Sequence, residues 1–525
     1  MNTTPEAAFS AQNLRRWLIP AGLFLVVVAL YGQFLWNPIV FDDIYFFLVD
    51  ASGHMPVMDI QYRPYELRSL PYASLAWTLS FFGNALIYYR WGNLLLHAAV
   101  VLAVYGCAVS LRVLYSGGRT ASHLDRTIAG AAALLFALHP VGVFATAYLV
   151  QRSILMATLF SIAAIWAFAW GGARQQPRYQ WLALVFYYFA VFSKEHAIML
   201  VAVFPLLTIA LHLEWRARVR RELPMLCAAA ALAVCVLYMS RHQVGEVYET
   251  DGASLALQWN ITHPLLTSVL TQMRMFFHYV GLWLFPNVAW MSIDMRVPFA
   301  HSIFSEYGIS ALAYLCWGGV GLHLLLGRGR YQWAGPLMLF PWLMGWTELV
   351  SVRLQEPFVL YRSYIWAAGA TCFAATCPVP RWDRRAWAGV GVLALVFFGL
   401  SMERLQTFSH AFLVWDDAQR ALAGHTDLPG AGRIYYNRGT QYLNLQKWPE
   451  AQQDLQTATQ LQPNFAPAFG NLGVAYLRQS AWAASAEAFG RAAELDRVAG
   501  KPPQERYYLG RAQALEKIQP PAPAR

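Results

Sequence analysis

Eleven apolar runs, each read as long enough to cross a bilayer core of about 30 Å as a helix rising about 1.5 Å per residue, recur through the first four-fifths of this chain. They fall near residues 17–36, 88–110, 127–147, 153–171, 179–193, 197–213, 224–240, 306–326, 333–350, 359–377 and 386–402. A lipid core offers no water to backbone N–H and C=O groups, so runs of this length fold as helices that satisfy themselves. The prediction is an all-α, polytopic membrane domain of about eleven spans. With 57% hydrophobic and 13% charged residues, most of the chain is excluded from a water-soluble domain. No small-residue cleavage site follows the first run, which therefore reads as a retained anchor.

The formal charge of +10 does not indicate nucleic acid, because the arginines sit in short loops between apolar runs, where orientation charges are placed. The partner they indicate is the lipid bilayer. Arg15 and Arg16 precede the first run, Arg112, Arg119 and Arg126 follow the second, and Arg216, Arg218, Arg220 and Arg221 follow the sixth. All three groups place the N-terminus in the cytoplasm. A twelfth run, Met273 to Phe285, is read as interfacial or re-entrant. On that reading Arg328, Arg330, Arg381, Arg384 and Arg385 are also cytoplasmic, and the C-terminus lies outside. The expected order is a cytoplasmic tail (1–16), a membrane domain (17–405) with a first external loop (37–87) and an external region (241–305), a linker (406–431), a repeat domain (432–518) and a disordered tail (519–525). Cys107, Cys227, Cys235, Cys316, Cys372 and Cys377 lie in or beside apolar runs without metal-ligand spacing, and read as small core residues.

Past residue 430 the composition turns soluble and Ala-rich, and a period of 34 residues emerges. With Gly432 opening a unit, Tyr435, Gly439, Tyr442, Ala451, Ala458 and Pro463 fall on tetratricopeptide positions. The next unit supplies Phe469, Leu472, Gly473, Tyr476, Phe489 and Ala492, and Tyr507 to Ile518 reads as a truncated, capping unit. The concave face of such an array is a candidate peptide groove; packing or dimerisation is the alternative use.

Chemistry concentrates at the external ends of the spans. Asp42 and Asp43 stand just beyond the first run, and Arg68, Arg152, Lys194, Arg353 and Arg362 are cations on the side where orientation charges are disfavoured. Cations grouped at the lipid interface suit a lipid phosphate, whose oxygens take charge-assisted bonds from Arg and Lys; singly, each is readable as a side chain reaching for headgroups.

In order and spacing the chain resembles a family. The residues concerned are Phe41-Asp42-Asp43, the stretch Arg68 to Gly83, Asn93 to His97, His139-Pro140, Tyr148 to Arg152, Ser193-Lys194-Glu195, Thr271 to Arg274, Phe285-Pro286, Asp294, Glu356, and Tyr361 to Tyr364. These are similar to the multi-spanning, tetratricopeptide-bearing glycosyltransferases of the type C superfamily, the transmembrane and tetratricopeptide repeat-containing protein O-mannosyltransferases and their bacterial relatives. The resemblance implies a polyprenyl-phosphate-linked sugar donor, transfer on the non-cytoplasmic face and a catalytic acid in the first external loop. Gly142, Phe144, Leu360, Tyr361 and Arg296 depart from the family's pattern, which bears on the sugar more than on the reaction type.

Within that reading either Asp43 or Asp42 is the base, its neighbour binding sugar or acceptor. Arg68, Arg152, Lys194, Arg274 and Arg362 are candidates for holding the departing phosphate. His97, His139, Gln151, Glu195, Asp294 and Glu356 are candidate substrate contacts, although histidines placed on helices as these two are read more often as satisfied core residues. No cofactor is assigned with certainty. A divalent metal at Asp42, Asp43 and Asp294 is the weaker alternative, since no His or further acid has ligand spacing. The resulting expectation is O-glycosylation of a protein acceptor held by the repeats, with site and repeats facing the periplasm from a bacterial inner membrane. Transfer to an envelope glycan or lipid is one alternative, and a non-catalytic scaffold another.

Overall fold

The structure, a computed structural model, describes residues 5–50, 52–243, 255–327, 329–378, 383–502 and 504–518, without the side chains of 5–16 and 241–243. The side chains of Arg15 and Arg16, residues Arg328 and Arg381, and the tail 519–525 lie outside the described residues. The chain forms two compact units. Met1–Val288 with Phe299–Ser409 makes the first, and Ala289–Pro298 with His410–Arg525 the second.

In the first unit the helices of more than ten residues are α1 (Pro5–Tyr31), α2 (Ser69–Phe82), α3 (Leu86–Tyr115), α4 (His123–Ala137), α5 (Arg152–Ala173), α6 (Pro177–Ser193), α7 (Leu200–Leu211), α8 (Trp215–Gln243), α9 (Pro264–Leu284), α10 (Glu306–Gly327), α11 (Ala334–Leu349), α12 (Tyr364–Ala374) and α13 (Arg384–Thr407). Among the described residues six helices are long and apolar enough to cross a membrane: Trp17–Phe34, Leu86–Tyr115, Leu149–Ala173, Trp215–Ser240, Glu306–Gly327 and Arg384–Thr407. A seventh crossing is a broken one, His123–Ala137 followed by Pro140–Thr146 at 56°. These features are those of a multi-pass membrane protein. The other expected runs form shorter helices, α6 with 17 residues, α7 with 12, α11 with 16 and α12 with 11. Proline accounts for the main break: Pro140 lacks an N–H and biases His139 away from helix, so the run 127–147 turns sharply in its middle.

Small residues let these helices approach closely. Gly106 of α3 lies under Trp166 of α5, Gly130 of α4 against Ile19 of α1, and Gly369 of α12 against Phe340 of α11. One expectation is corrected. Only Cys107 and Cys372 are buried; Cys227, Cys235 and Cys316 are exposed, since an apolar run fixes that a residue lies on a membrane-type helix but not which face of the helix it occupies.

The second unit is a stack of helices: α14 (Ala411–Ala421), α15 (Ala431–Asn444), α16 (Trp448–Leu461), α17 (Ala466–Arg478), α18 (Trp482–Val498) and α19 (Glu505–Ile518). Helix α14 occupies the expected linker, tied in by Arg438, whose guanidinium reaches Asp416 and Gln419 on one side and Asp454 on the other. Gly439 faces Leu455 and, 34 positions on, Gly473 faces Phe489. A Cβ at Gly473 would lie 2.9 Å from the Phe489 ring, so glycine sets the closeness of α17 and α18.

Candidate functional site

The stretch 138–151 breaks into short helical turns, Pro140–Gly142, Val143–Thr146 and Leu149–Gln151, within the membrane unit, so the backbone groups at the breaks need partners from elsewhere. Helix α3 supplies them. Arg90 donates to the carbonyls of Asn37 (2.7 Å), Ala147 (2.8 Å) and Pro38. Asn93 Nδ2 lies 3.2 to 3.4 Å from the carbonyls of Thr146, Tyr148 and Leu149, and its Oδ1 accepts from Arg152 Nε at 2.9 Å. Arg152 also donates to the carbonyls of Tyr89 (2.8 Å) and Ser74 (3.0 Å) and to Thr78 Oγ1 (3.1 Å). Arg152, a candidate phosphate ligand from sequence, is thus buried and engaged with neutral oxygens of the scaffold.

Asp42 and Asp43 sit in one 3₁₀ turn, Phe41–Asp43, rather than in an extended loop, yet their surroundings differ. Asp43 is fully buried; its carboxylate accepts from the backbone N–H groups of Val150 (2.9 Å), Leu149 (3.4 Å) and Val40 (3.4 Å). Burial pushes its carboxyl up to about 7, against the pull of the Val150 N–H and the Arg90 charge. It pins the turn to the segment 148–150. Asp42 remains half-buried. Its backbone N–H donates to the Tyr148 hydroxyl at 3.0 Å, and that hydroxyl also bonds the Asp42 side chain. Burial, reinforced by Asp42 and Asp43, holds the Tyr148 phenol well above its ordinary range, so it stays a neutral donor. Phe41 packs on Tyr148 and adopts φ +51°, a left-handed conformation that costs a non-glycine residue of order 1 kcal/mol or more.

Next to Tyr148 lies Tyr361, with ring centroids 6.1 Å apart, and over Tyr361 lies the Lys194 ammonium at 4.8 Å. Lys194, between α6 and α7, is 5% exposed, and its Nζ donates to Gln151 Oε1 (2.8 Å) and Ser153 Oγ (3.4 Å). Among the described residues it forms no ion pair. Burial, with the charges of Arg68 and Arg362, brings its pKa down to about 7 against the opposing pull of Glu195 and Glu356. Around it stand paired charges: Arg68 grips Glu195 through two bonds, and Glu348 accepts from Arg362 (2.9 Å) and contacts Arg353 (3.3 Å) and His196 (3.1 Å). Arg362 further bonds the Glu356 carbonyl (3.2 Å) and carboxylate (3.4 Å).

The structure therefore gathers Asp42, Gln151, Lys194, Glu195, Arg68, Glu356 and Arg362 into one polar region. The remaining candidates have other duties. His97 bonds the Tyr364 hydroxyl (2.6 Å) and the Ala137 carbonyl (3.2 Å), and His139 stacks on Trp283 with centroids 4.3 Å apart. Arg274 pairs with Glu306 at 3.1 Å on the outer part of α9. Asp294 belongs to the other unit, bonded to Arg296 and Arg433. Among the described residues no three His, Cys, Asp or Glu side chains converge as a metal site.

Sequence reasoning assigned no role to Tyr148, Tyr361, Arg90, Ser153, His196 and Glu348. For Glu348 a signal existed: a carboxylate inside the apolar run 333–350 is an intramembrane charge that demands a partner. Arg90, three residues into the run 88–110, carried the same signal.

No family model, curated protein or solved structure matches the chain.

Proposed function

We propose that this chain is a membrane glycosyltransferase that moves a sugar from a polyprenyl-phosphate donor to a protein hydroxyl on the non-cytoplasmic face. On this reading the shorter apolar helices complete about eleven crossings in a bacterial inner membrane, and the helical hairpins of the second unit are tetratricopeptide repeats that hold the acceptor. The observation that carries the reading is Lys194: an ammonium in a buried position, bonded to neutral oxygens and forming no ion pair among the described residues, is stabilised by an arriving anion. A lipid phosphate supplies that anion. Asp42 is the group best placed to take the acceptor proton, being less buried than Asp43 and oriented by Tyr148.

In the reaction the acceptor oxygen bonds to the anomeric carbon while its proton passes to the Asp42 carboxylate. The bond from that carbon to the phosphate oxygen breaks, and the electron pair leaves on the phosphate, facing Lys194. Arg68 and Arg362, held by their glutamates, raise the local positive potential without needing to reorganise. Asp43 positions the turn.

The test is transfer of radiolabelled sugar from a panel of polyprenyl-phosphate sugars to envelope proteins, using the intact protein and its Asp42→Asn and Asp43→Asn variants. Label reaching protein and lost in Asp42→Asn supports the reading. Label on glycan instead moves the acceptor, and no Asp42-dependent transfer from any donor overturns the enzyme.

A further inference from the structure

Helix α9 turns four hydrogen-bonding side chains onto the irregular segment between α11 and α12. Ser268, Gln272, Tyr279 and Trp283 are spaced four, seven and four residues apart, which puts them on one face of the helix. Ser268 Oγ accepts from the Arg353 N–H at 2.8 Å and donates to the Ser351 carbonyl at 3.3 Å, and Gln272 Nε2 donates to the Pro357 carbonyl at 2.6 Å. The Tyr279 hydroxyl accepts from the Val359 N–H at 2.8 Å and donates to the Val359 carbonyl at 3.0 Å. Val359 is extended, at φ −134° and ψ 110°, so its two backbone groups point the same way and one hydroxyl meets both. Trp283 Nε1 donates to Ser363 Oγ at 2.9 Å, and that hydroxyl donates to the Leu360 carbonyl at 2.7 Å.

The bonds at Val359 and Ser363 bracket the turn Leu360–Ser363, which carries Tyr361 and Arg362. Tyr361 contacts both the Lys194 ammonium and the Tyr148 ring, and the Arg362 N–H closes the turn by donating to the same Val359 carbonyl at 3.2 Å. The geometry points to Tyr279 and Trp283 as positioning residues of the candidate site: they fix where the turn sits, and through it hold the Tyr361 ring under Lys194 and the Arg362 charge beside Glu348 and Glu356. An irregular segment in a membrane unit takes its shape from whatever satisfies its backbone, and here one helix does so at both flanks of the turn. The Tyr279 ring is itself fixed, buried with Phe358 at 4.4 Å and Trp366 at 5.0 Å between centroids. Trp283 ties in the other irregular stretch as well, because its indole stacks on His139 at the break between α4 and α5. What the held residues do for an arriving phosphate rests on the transfer reading; that they are held from α9 does not.

Tyr279→Phe keeps the ring and deletes only the hydroxyl, which leaves the Val359 N–H unbonded in the interior. Binding of a dialkyl phosphodiester to the full-length protein in detergent, followed by titration calorimetry, separates affinity from the fraction of competent sites. Tyr279→Phe is expected to bind roughly tenfold more weakly at unchanged stoichiometry. A side chain that merely supports the fold lowers the stoichiometry and leaves the affinity of the remaining sites alone, and that result overturns the proposal. In parallel, peptides covering residues 357–364 should exchange amide hydrogens roughly tenfold faster in the variant while those from α3 keep their protection. If the intact protein binds no phosphodiester, the transfer reading is what fails, and exchange decides the inference by itself: unchanged protection over 357–364, or equal acceleration in α3, overturns it. Should Tyr279→Phe fail to fold, Trp283→Phe, which releases Ser363 at the other flank of the turn, is measured in the same way with the same outcomes.

Discussion

Asp42 and Asp43 share a turn but not an environment, and their variants should fail in different ways. Replacing Asp42 by Asn would remove the proposed base while leaving the turn's backbone bonds intact, so the proposed transfer should fall by roughly 10²- to 10⁴-fold with thermal stability little changed. Asp43→Asn should instead alter how stability depends on pH. With its carboxyl raised from 3.8 to about 7 by burial, folded Asp43 keeps a proton through a range where the unfolded chain has lost it. Protein stability therefore falls as pH rises through that window, and from pH 5 to 8 the wild type should lose roughly 3 kcal/mol relative to Asp43→Asn, read from thermal unfolding in detergent at each pH. Lys194 titrates in the opposite sense for binding. Its pKa is lowered to about 7, so above neutrality the empty site has shed its charge, and an arriving anion must recapture a proton. Affinity for a dialkyl phosphodiester, whose own charge is constant from pH 6 to 9, should decline by up to about tenfold per pH unit above 7. Lys194→Met should bind weakly at every pH and lose the slope.

At the scale of elements, the break between α4 and α5 organises the region, and α3 supports it through Arg90 and Asn93. Arg152→Met strands the carbonyls of Tyr89 and Ser74 and the Asn93 side chain, and at about 1 to 3 kcal/mol for each buried group left without a bond this should cost at least roughly 3 kcal/mol of stability. The discriminating readout is the ratio of donor KM to wild type in the surviving folded fraction, which stays near one when Arg152 is scaffold and rises steeply when it holds phosphate. From sequence alone the two roles look alike, since an arginine at the end of an apolar run is equally suited to a headgroup, a ligand or three carbonyls. The break itself goes unread, since the expected span over 127–147 runs straight through Pro140, a helix-stop residue; how the chain resumes beyond it depends on Arg90 and Asn93 reaching across from α3, a tertiary fact without local signal. In the second unit the 34-residue spacing of Gly439 and Gly473 was legible, but the side chains they face 16 positions later, Leu455 and Phe489, were not paired with them from sequence. Helix α14 goes unread as well, although its sequence carries an amphipathic signal, Phe412-Leu413-Val414-Trp415 ahead of Asp416 and Asp417, with Val414, Trp415 and Ala418 buried and Asp416 and Gln419 bound by Arg438.

For the whole molecule the open quantity is parity. Among the described residues six helices are unbroken and long enough to cross, and a bent pair makes seven, whereas the apolar runs of the sequence number eleven. Helices of 11 to 17 residues span only about 16 to 26 Å, less than the hydrocarbon core, so length alone does not make α6, α7, α11 and α12 spans. Their apolarity nevertheless excludes them from water, and a short helix extended by a few non-helical residues at each end reaches the interfaces when neighbouring helices satisfy that backbone, as α3 does for the stretch 138–151. An even number of crossings leaves both ends on one side, and an odd number separates them. By the positive-inside rule the arginine clusters at 112–126 and 216–221 predict those loops in the cytoplasm, and eleven crossings, as proposed, would then place the second unit outside. Single cysteines at Lys447 and Gly117, both exposed positions, introduced into a variant without the six native cysteines, separate the cases. A membrane-impermeant maleimide applied to spheroplasts should label Lys447→Cys at once and Gly117→Cys only after lysis. Protection of both until lysis would place the second unit in the cytoplasm, on the opposite side from the polyprenyl-phosphate chemistry proposed here, and acceptor presentation by the helical stack would fail with it.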